Sequence, residues 1–149
     1  MASIDEMIAK FEKINFNKML DEVLNDLLPQ IIDNVLDQLE SGYIKDNTSP
    51  DYTYGMDSEY MKTKASMGIY SMNIAPRINL KYSGDFYSGF YAIVKKEIIE
   101  IGSKDSKANK LETEFTKELF ELDSNNMNWL RSEVKPQVQE LLRKQLGII

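Results

Sequence analysis

The side chains able to do chemistry in this chain are few in kind. Its 149 residues include no cysteine and no histidine. That removes thiol nucleophiles, disulfides, thiolate zinc sites and iron–sulfur clusters. It also removes imidazole bases, Ser-His-Asp and Cys-His catalysis and the facial-triad iron site. Carboxylate, lysine, tyrosine and serine remain. Asp46, Asp51, Asp57 and Glu59 crowd one polar stretch, and hard divalent cations prefer such oxygen-rich sequence. Their spacing lacks the Asp-x-Asp-x-Asp-Gly order and the closing Glu of an EF-hand loop, so a solvated acidic loop is the simpler account. Asp85 stands beside Ser83 and Ser88, but no histidine exists to take a serine proton, and Ser83-Gly84-Asp85 reads as a turn. Gly84/Gly89 and Gly102-Ser103 match neither the dinucleotide fingerprint nor the Walker loop. Lys104, Lys107 and Lys110 make a small basic patch diluted by Glu112 and Glu114. No catalytic residue, cofactor or metal site is expected.

The charge sets a second bound. Lys and Arg number 18 against 24 Asp and Glu, a net charge of −6. Domains that hold nucleic acid through its phosphates carry the opposite sign, so nucleic acid is not an expected partner. Residues 1–75 hold 13 acidic against 6 basic side chains, whereas residues 76–149 hold 11 against 12. A chain skewed in this way can pack head to tail with its own copies, although a solvated acidic helix is the commoner source of such a skew. No apolar run approaches the roughly 20 residues of a membrane span, so no membrane partner is expected. Met1-Ala2-Ser3-Ile4-Asp5-Glu6 lacks the basic and apolar regions of a secretory signal. Ser3 and Glu6 instead have capping-box spacing, which predicts a helix start in a protein that stays in the cytosol.

Three zones must position whatever the chain does. Residues 1–42 read as a helical arm. Ile4, Met7, Ile8, Phe11 and Ile14 repeat at three and four residues, Asn15-Phe16-Asn17 interrupts, and Asn17 is placed to cap a second helix. That second helix carries a broad apolar stripe, including Leu20, Leu24, Leu28, Ile31 and Val35, which packs along the core or against a neighbouring chain. Pro29 should kink or restart it, and Gly42 should stop it. Residues 43–77 read as a tyrosine-rich loop with no sustained period up to about Met72. All eight tyrosines lie between Tyr43 and Tyr91, and tyrosine suits contact surfaces as well as core edges. Residues 78–149 read as a compact α+β unit. Phe86 to Val94 and Ile98 to Ile101 flank Lys95-Lys96-Glu97 as an antiparallel hairpin. A weaker helical stretch offers Leu111, Phe115, Leu119, Phe120 and Leu122 for burial. Asp123 or Ser124 caps a final amphipathic helix that bends at Pro136 and ends at Gly147. The three zones form one structural domain of α+β class.

The order of features in residues 76–146 is more specific than any of these motifs. Pro76 to Tyr91, with Leu80, Ser83, Gly84 and Phe86 in a Leu-x-x-[Ser/Thr]-Gly-x-[Leu/Phe] turn, leads into the hairpin, a charged loop and the closing helix. This order resembles the small tailed-bacteriophage structural proteins of virion morphogenesis, tail completion and head–tail connection. Gly84 permits the tight turn, and Leu80 and Phe86 can pin it from the core side. The resemblance covers about half the chain and implies a non-enzymatic virion protein of the neck or tail, assembled in the host bacterial cytoplasm. It further implies a cyclic homo-oligomer that touches other virion proteins. On that reading Leu20, Leu24, Leu28, Ile31, Val35, Tyr43, Tyr52, Tyr54 and Tyr60 are the interface candidates. Two other classes stay open: a divalent-metal hydrolase or nuclease using Asp51, Asp57, Glu59 or Asp85, and a helical adaptor whose N-terminal stripe pairs with a partner helix.

Overall fold

The computed structural model describes residues 3–43, 58–75, 77–80, 84–96, 98–115 and 117–147, with the side chains of residues 112–115, 117 and 118 outside that description. The fold is α+β. Helix α1 (Ile4–Glu12) is followed by α2 (Phe16–Glu40), α3 (Glu59–Ser66) and a 3-10 turn at Met72–Ile74. Then come the single turn α4 (Asp85–Ser88), strands β1 (Phe90–Lys95) and β2 (Ile98–Ser103), α5 (Ala108–Phe115), a 3-10 turn at Lys117–Phe120 and α6 (Ser124–Leu146).

Helix α2 is the spine. Its Met19, Val23, Leu24, Leu27, Ile31, Val35 and Leu39 are buried at three- and four-residue steps, and each such side chain contributes about 1.5–3 kcal/mol of transfer free energy. Strand β1 of the hairpin and α6 pack on this stripe. Of the alternatives that the stripe allowed, α2 takes the first and packs along the chain's own core. It also runs unbroken through Pro29, as α6 does through Pro136. Both prolines sit on exposed faces, as do Asn25 and Ser132 four residues before them. The carbonyls left without a main-chain donor therefore face water, and neither helix has to divide. The break between α1 and α2 falls where expected, but Asn15 rather than Asn17 is the cap, its Oδ1 accepting from Lys18 N at 3.0 Å.

The hairpin is antiparallel, from Phe90 opposite Ser103 to Lys95 opposite Ile98. Phe90 and Val94 on β1 share a face with Ile99 and Ile101 on β2, and all four pack on the core. Expected strand residues Phe86 and Tyr87 belong to α4 instead. Their rings still join the apolar layer: Phe86 meets Phe90 edge to face at 5.0 Å, and Phe90 meets Phe120 at 5.5 Å. Gly89 and Gly102, which match no phosphate-binding motif, have packing roles. A Cβ at Gly89 would lie 2.8 Å from Ser103 Oγ, and one at Gly102 2.7 Å from the hydroxyl of Tyr91.

The region read as an unbroken loop contains α3. Ser58 caps it by accepting from Met61 N at 3.3 Å. The helix has only eight residues and buries just Met61 and Lys64, too short an apolar pattern to show as a period. Most of the expected loop, residues 44–57, lies outside the described residues.

One polar side chain locks the two long helices together. Gln38 interrupts the α2 stripe and is buried. Its Nε2 donates to Glu121 O at 3.0 Å, while its Oε1 accepts from Asp123 N at 2.9 Å and from Asn126 Nδ2 at 3.2 Å. The same Asn126 amide reaches Asn34 O at 3.4 Å. Asp123 in turn caps α6, accepting from Asn126 N at 2.7 Å. Replacing Gln38 with Leu leaves these groups without their buried partner, a cost of about 2 kcal/mol. Thermal unfolding followed by circular dichroism should show Gln38→Leu melting roughly 4–8 °C below the parent chain. An unchanged Tm would show that the amide is not a lock.

Candidate functional site

Among the described residues, two apolar surfaces stand outside the core. The first is a groove of about 980 Å³ between α2, β2, the 3-10 turn at Lys117–Phe120 and α6. Leu20 and Leu24 supply one wall, Ile99 and Ile101 another, and Leu130, Val134 and Val138 the third. Arg131, Lys135 and Gln139 stand along its α6 rim. The groove lies where the hairpin and α6 both pack on α2, alongside its Leu20 and Leu24. It is large and apolar enough to take a substantial ligand or a helix face.

The second surface is α1. Its start is fully capped: Ser3 Oγ accepts from Glu6 N at 3.2 Å, and Glu6 Oε2 accepts from Ser3 N at 3.0 Å. None of its residues is buried. Ile4 is 76% exposed, Ile8 51% and Phe11 50%. These three share one helix face by their spacing. Isolated helices this short are marginal in water, so an apolar face without a core to meet is an unusual thing to maintain. Phe11 packs edge to face on the exposed ring of Phe16 at 5.7 Å, which holds the α1–α2 corner.

The interface candidates divide between these environments. Leu20 and Leu24 are brought together in the groove, Leu24 with its side chain largely covered. Ile31 and Val35 are wholly buried in the chain's own core, and Leu28 packs half-buried against that core. Ile31 and Val35 are therefore corrected from contact residues to core residues. An amphipathic period alone does not say whether its partner is intramolecular. Tyr43 is half-buried with the Arg77 guanidinium 4.7 Å above its ring. Tyr60 is exposed on α3. Tyr52 and Tyr54 lie outside the described residues, as does Ser83 of the turn. Of the turn's other residues, Gly84 takes φ 87°, Phe86 is buried and Leu80 packs half-buried on the core. Leu80 has φ 56°, a left-handed conformation that costs a residue with a Cβ about 1–2 kcal/mol.

Among the described residues, the one strongly perturbed titratable group was not singled out by sequence. Lys64, only 1% exposed, donates from Nζ to Asn79 Oδ1 at 2.5 Å. The Tyr60 and Tyr70 rings lie 5.6 and 5.7 Å from the ammonium. Asn79 Nδ2 donates to Ile69 O at 2.8 Å, Tyr87 donates to Asn79 O, and the Tyr70 hydroxyl donates to Arg77 O at 2.8 Å. Burial lowers the Lys64 pKa to about 8. Burial also raises the Tyr70 phenol, against a smaller opposing pull from Arg77. A lysine amine of lowered pKa is a possible base or nucleophile. Here it is sealed beneath two rings and tied to Asn79, so its work is to join α3 to the segment at residues 77–80. No sequence signal marks it, since Lys64 follows Met61 on a helix without an apolar period.

Of the acidic candidates, Glu59 and Asp85 fall among the described residues. Glu59 is solvated on α3 with Lys62 at 3.6 Å, Asp85 is exposed at the start of α4, and Asp46, Asp51 and Asp57 lie outside the described residues. Among the described residues no group of three or more acidic side chains is placed to hold a metal ion, and no helix is long and apolar enough to cross a membrane. Comparison of the chain with protein-family models, with curated proteins and with solved structures finds no match.

The Lys64 assignment has a pH signature. Its folded pKa lies below the model-peptide value of 10.5, so between about pH 8 and 10 the unfolded chain binds the extra proton. Stability from this group therefore rises with pH across that window. Relative to Lys64→Met, which carries no such proton, the parent chain should gain on the order of 1–3 kcal/mol between pH 7.5 and 10 in urea unfolding. A stability difference independent of pH would place the ammonium in water.

Proposed function

We propose that this chain is a non-enzymatic structural protein of a tailed phage or prophage, placed in the neck or tail-completion region. It acts by assembling into a ring and by contacting other virion proteins. The observation that carries this reading is the coexistence, on one chain, of an unburied apolar ridge on α1 and an open apolar groove against α6. A protein that works by contact needs surfaces of this kind. Two different complementary patches favour heterologous association, which closes into a ring when the rotation between copies allows it. The turn at residues 80–86 and the order of hairpin, charged loop and closing helix support the phage class by resemblance. The helical adaptor reading draws on α1 alone, because the α2 stripe is taken up by the chain's own core.

Multi-angle light scattering and sedimentation velocity at native salt test the assembly, together with capture on purified portal and tail proteins. The expected result is a species several times the 17.2 kDa chain mass, or retention on a virion component. A strict monomer that binds none of these proteins would overturn the reading.

A further inference from the structure

The two uncovered surfaces complement each other in shape and in charge. Helix α1 has nine residues, roughly 13 Å of axis at 1.5 Å per residue. The α6 wall of the groove, from Met127 to Gln139, spans roughly 18 Å on the same rise. The apolar ridge Ile4, Ile8 and Phe11 has the i, i+4, i+7 spacing with which a helix enters a groove. Asp5 and Glu12, seven residues apart, share one flank of that ridge. Arg131 and Lys135, four residues apart, share one rim of the groove, and both are exposed. The helices carry opposite signs overall: α1 has three acidic side chains against one basic, and α6 has four basic against two acidic. Within its own chain α1 touches α6 near the C-terminal end, where Lys10 lies beside Gly147, and no α1 residue is among those lining the groove.

We propose that α1 of one copy docks into the α2–β2–α6 groove of a second copy, its Ile4–Ile8–Phe11 ridge on the apolar walls and its Asp5/Glu12 flank against Arg131 and Lys135. The inference rests on the assembly reading above and names the contact that would build it. Each copy then donates one helix and accepts another, so the contact is heterologous and propagates head to tail. High salt weakens the charged flank without abolishing the contact, since screening at 1 M shortens electrostatic reach to about 3 Å and leaves apolar burial intact.

The cysteine-free chain makes cross-linking a clean test. Two single variants, Ile8→Cys and Gln139→Cys, are mixed and oxidised, and the double variant is oxidised separately at high dilution. The expected result is a disulfide heterodimer from the mixture, with no intramolecular bond in the diluted double variant. The variant Ile8→Asp/Phe11→Asp, whose sites are exposed and whose fold circular dichroism checks, should weaken self-association on the order of 10- to 100-fold. Arg131→Glu/Lys135→Glu should weaken it less, and more so at low salt than at high. Oligomers that persist in Ile8→Asp/Phe11→Asp overturn this contact while leaving assembly standing. An intramolecular bond in the double variant shows α1 covering its own groove and also overturns it. A strict monomer with no cross-link and no affinity for virion proteins removes both the contact and the assembly reading.

Discussion

The core of this fold is built on one buried face of α2. Six apolar side chains on that face, from Val23 to Leu39, share one cluster with residues of the hairpin, α6 and the 3-10 turn before it, and the amide of Gln38 fixes their register. Apolar burial is non-directional and would tolerate several ways of laying α6 across α2. A buried amide with three partners tolerates one, because any slip leaves Glu121 O, Asp123 N or the amide itself unsatisfied. Gln38 thus supplies what Val35 and Leu39 beside it cannot, a unique placement of the start of α6. The groove lies away from that pinned end, near Leu20 and Leu24.

A comparable division holds elsewhere in the molecule. The aromatic layer of Phe86, Phe90 and Phe120 provides area. The polar set of Lys64, Asn79 and the main chain at Ile69 provides position, tying α3 to the segment that precedes the turn at Gly84. Lysine is an expensive choice for such a joint, since its charged form resists burial. The two tyrosine rings offset part of that cost by presenting their negative faces to the ammonium. Burial thus weighs against the proton, and the contribution of Lys64 to stability rises with pH.

Much of this architecture was legible in the residue pattern, for reasons that differ by element. The hairpin and α6 declare themselves because periods of two and 3.6 persist over enough residues, and Asp123, Ser3 and Gly147 mark their helix ends by mechanisms that need no tertiary contact. Helix α3 was hidden because eight residues with one buried pair carry no period. The continuity of α2 and α6 through Pro29 and Pro136 was hidden because it depends on which side of the helix faces water. The contact surfaces were half legible. Leu20 and Leu24 do line the groove, but Ile31 and Val35, on the same stripe, vanish into the core, and no local pattern separates the two pairs. The α1 ridge was visible as a stripe, though only the structure shows that it is uncovered. Lys64 and Gln38 gave no warning, since a lone polar residue gains its meaning from partners 15 or more than 80 positions away.

The uncovered groove also gives the chain's acidity a colloidal role. A surface with this much exposed hydrocarbon is held in solution by mutual repulsion among copies, and a net charge of −6 supplies it. That repulsion fades toward the isoelectric point near 4.8, where sticky faces meet unopposed. On the assembly proposed above, the same repulsion would slow chance encounters at low concentration, so that association would wait until copies are crowded or gathered on a template. The negative charge would then set when copies meet, and the groove and ridge how.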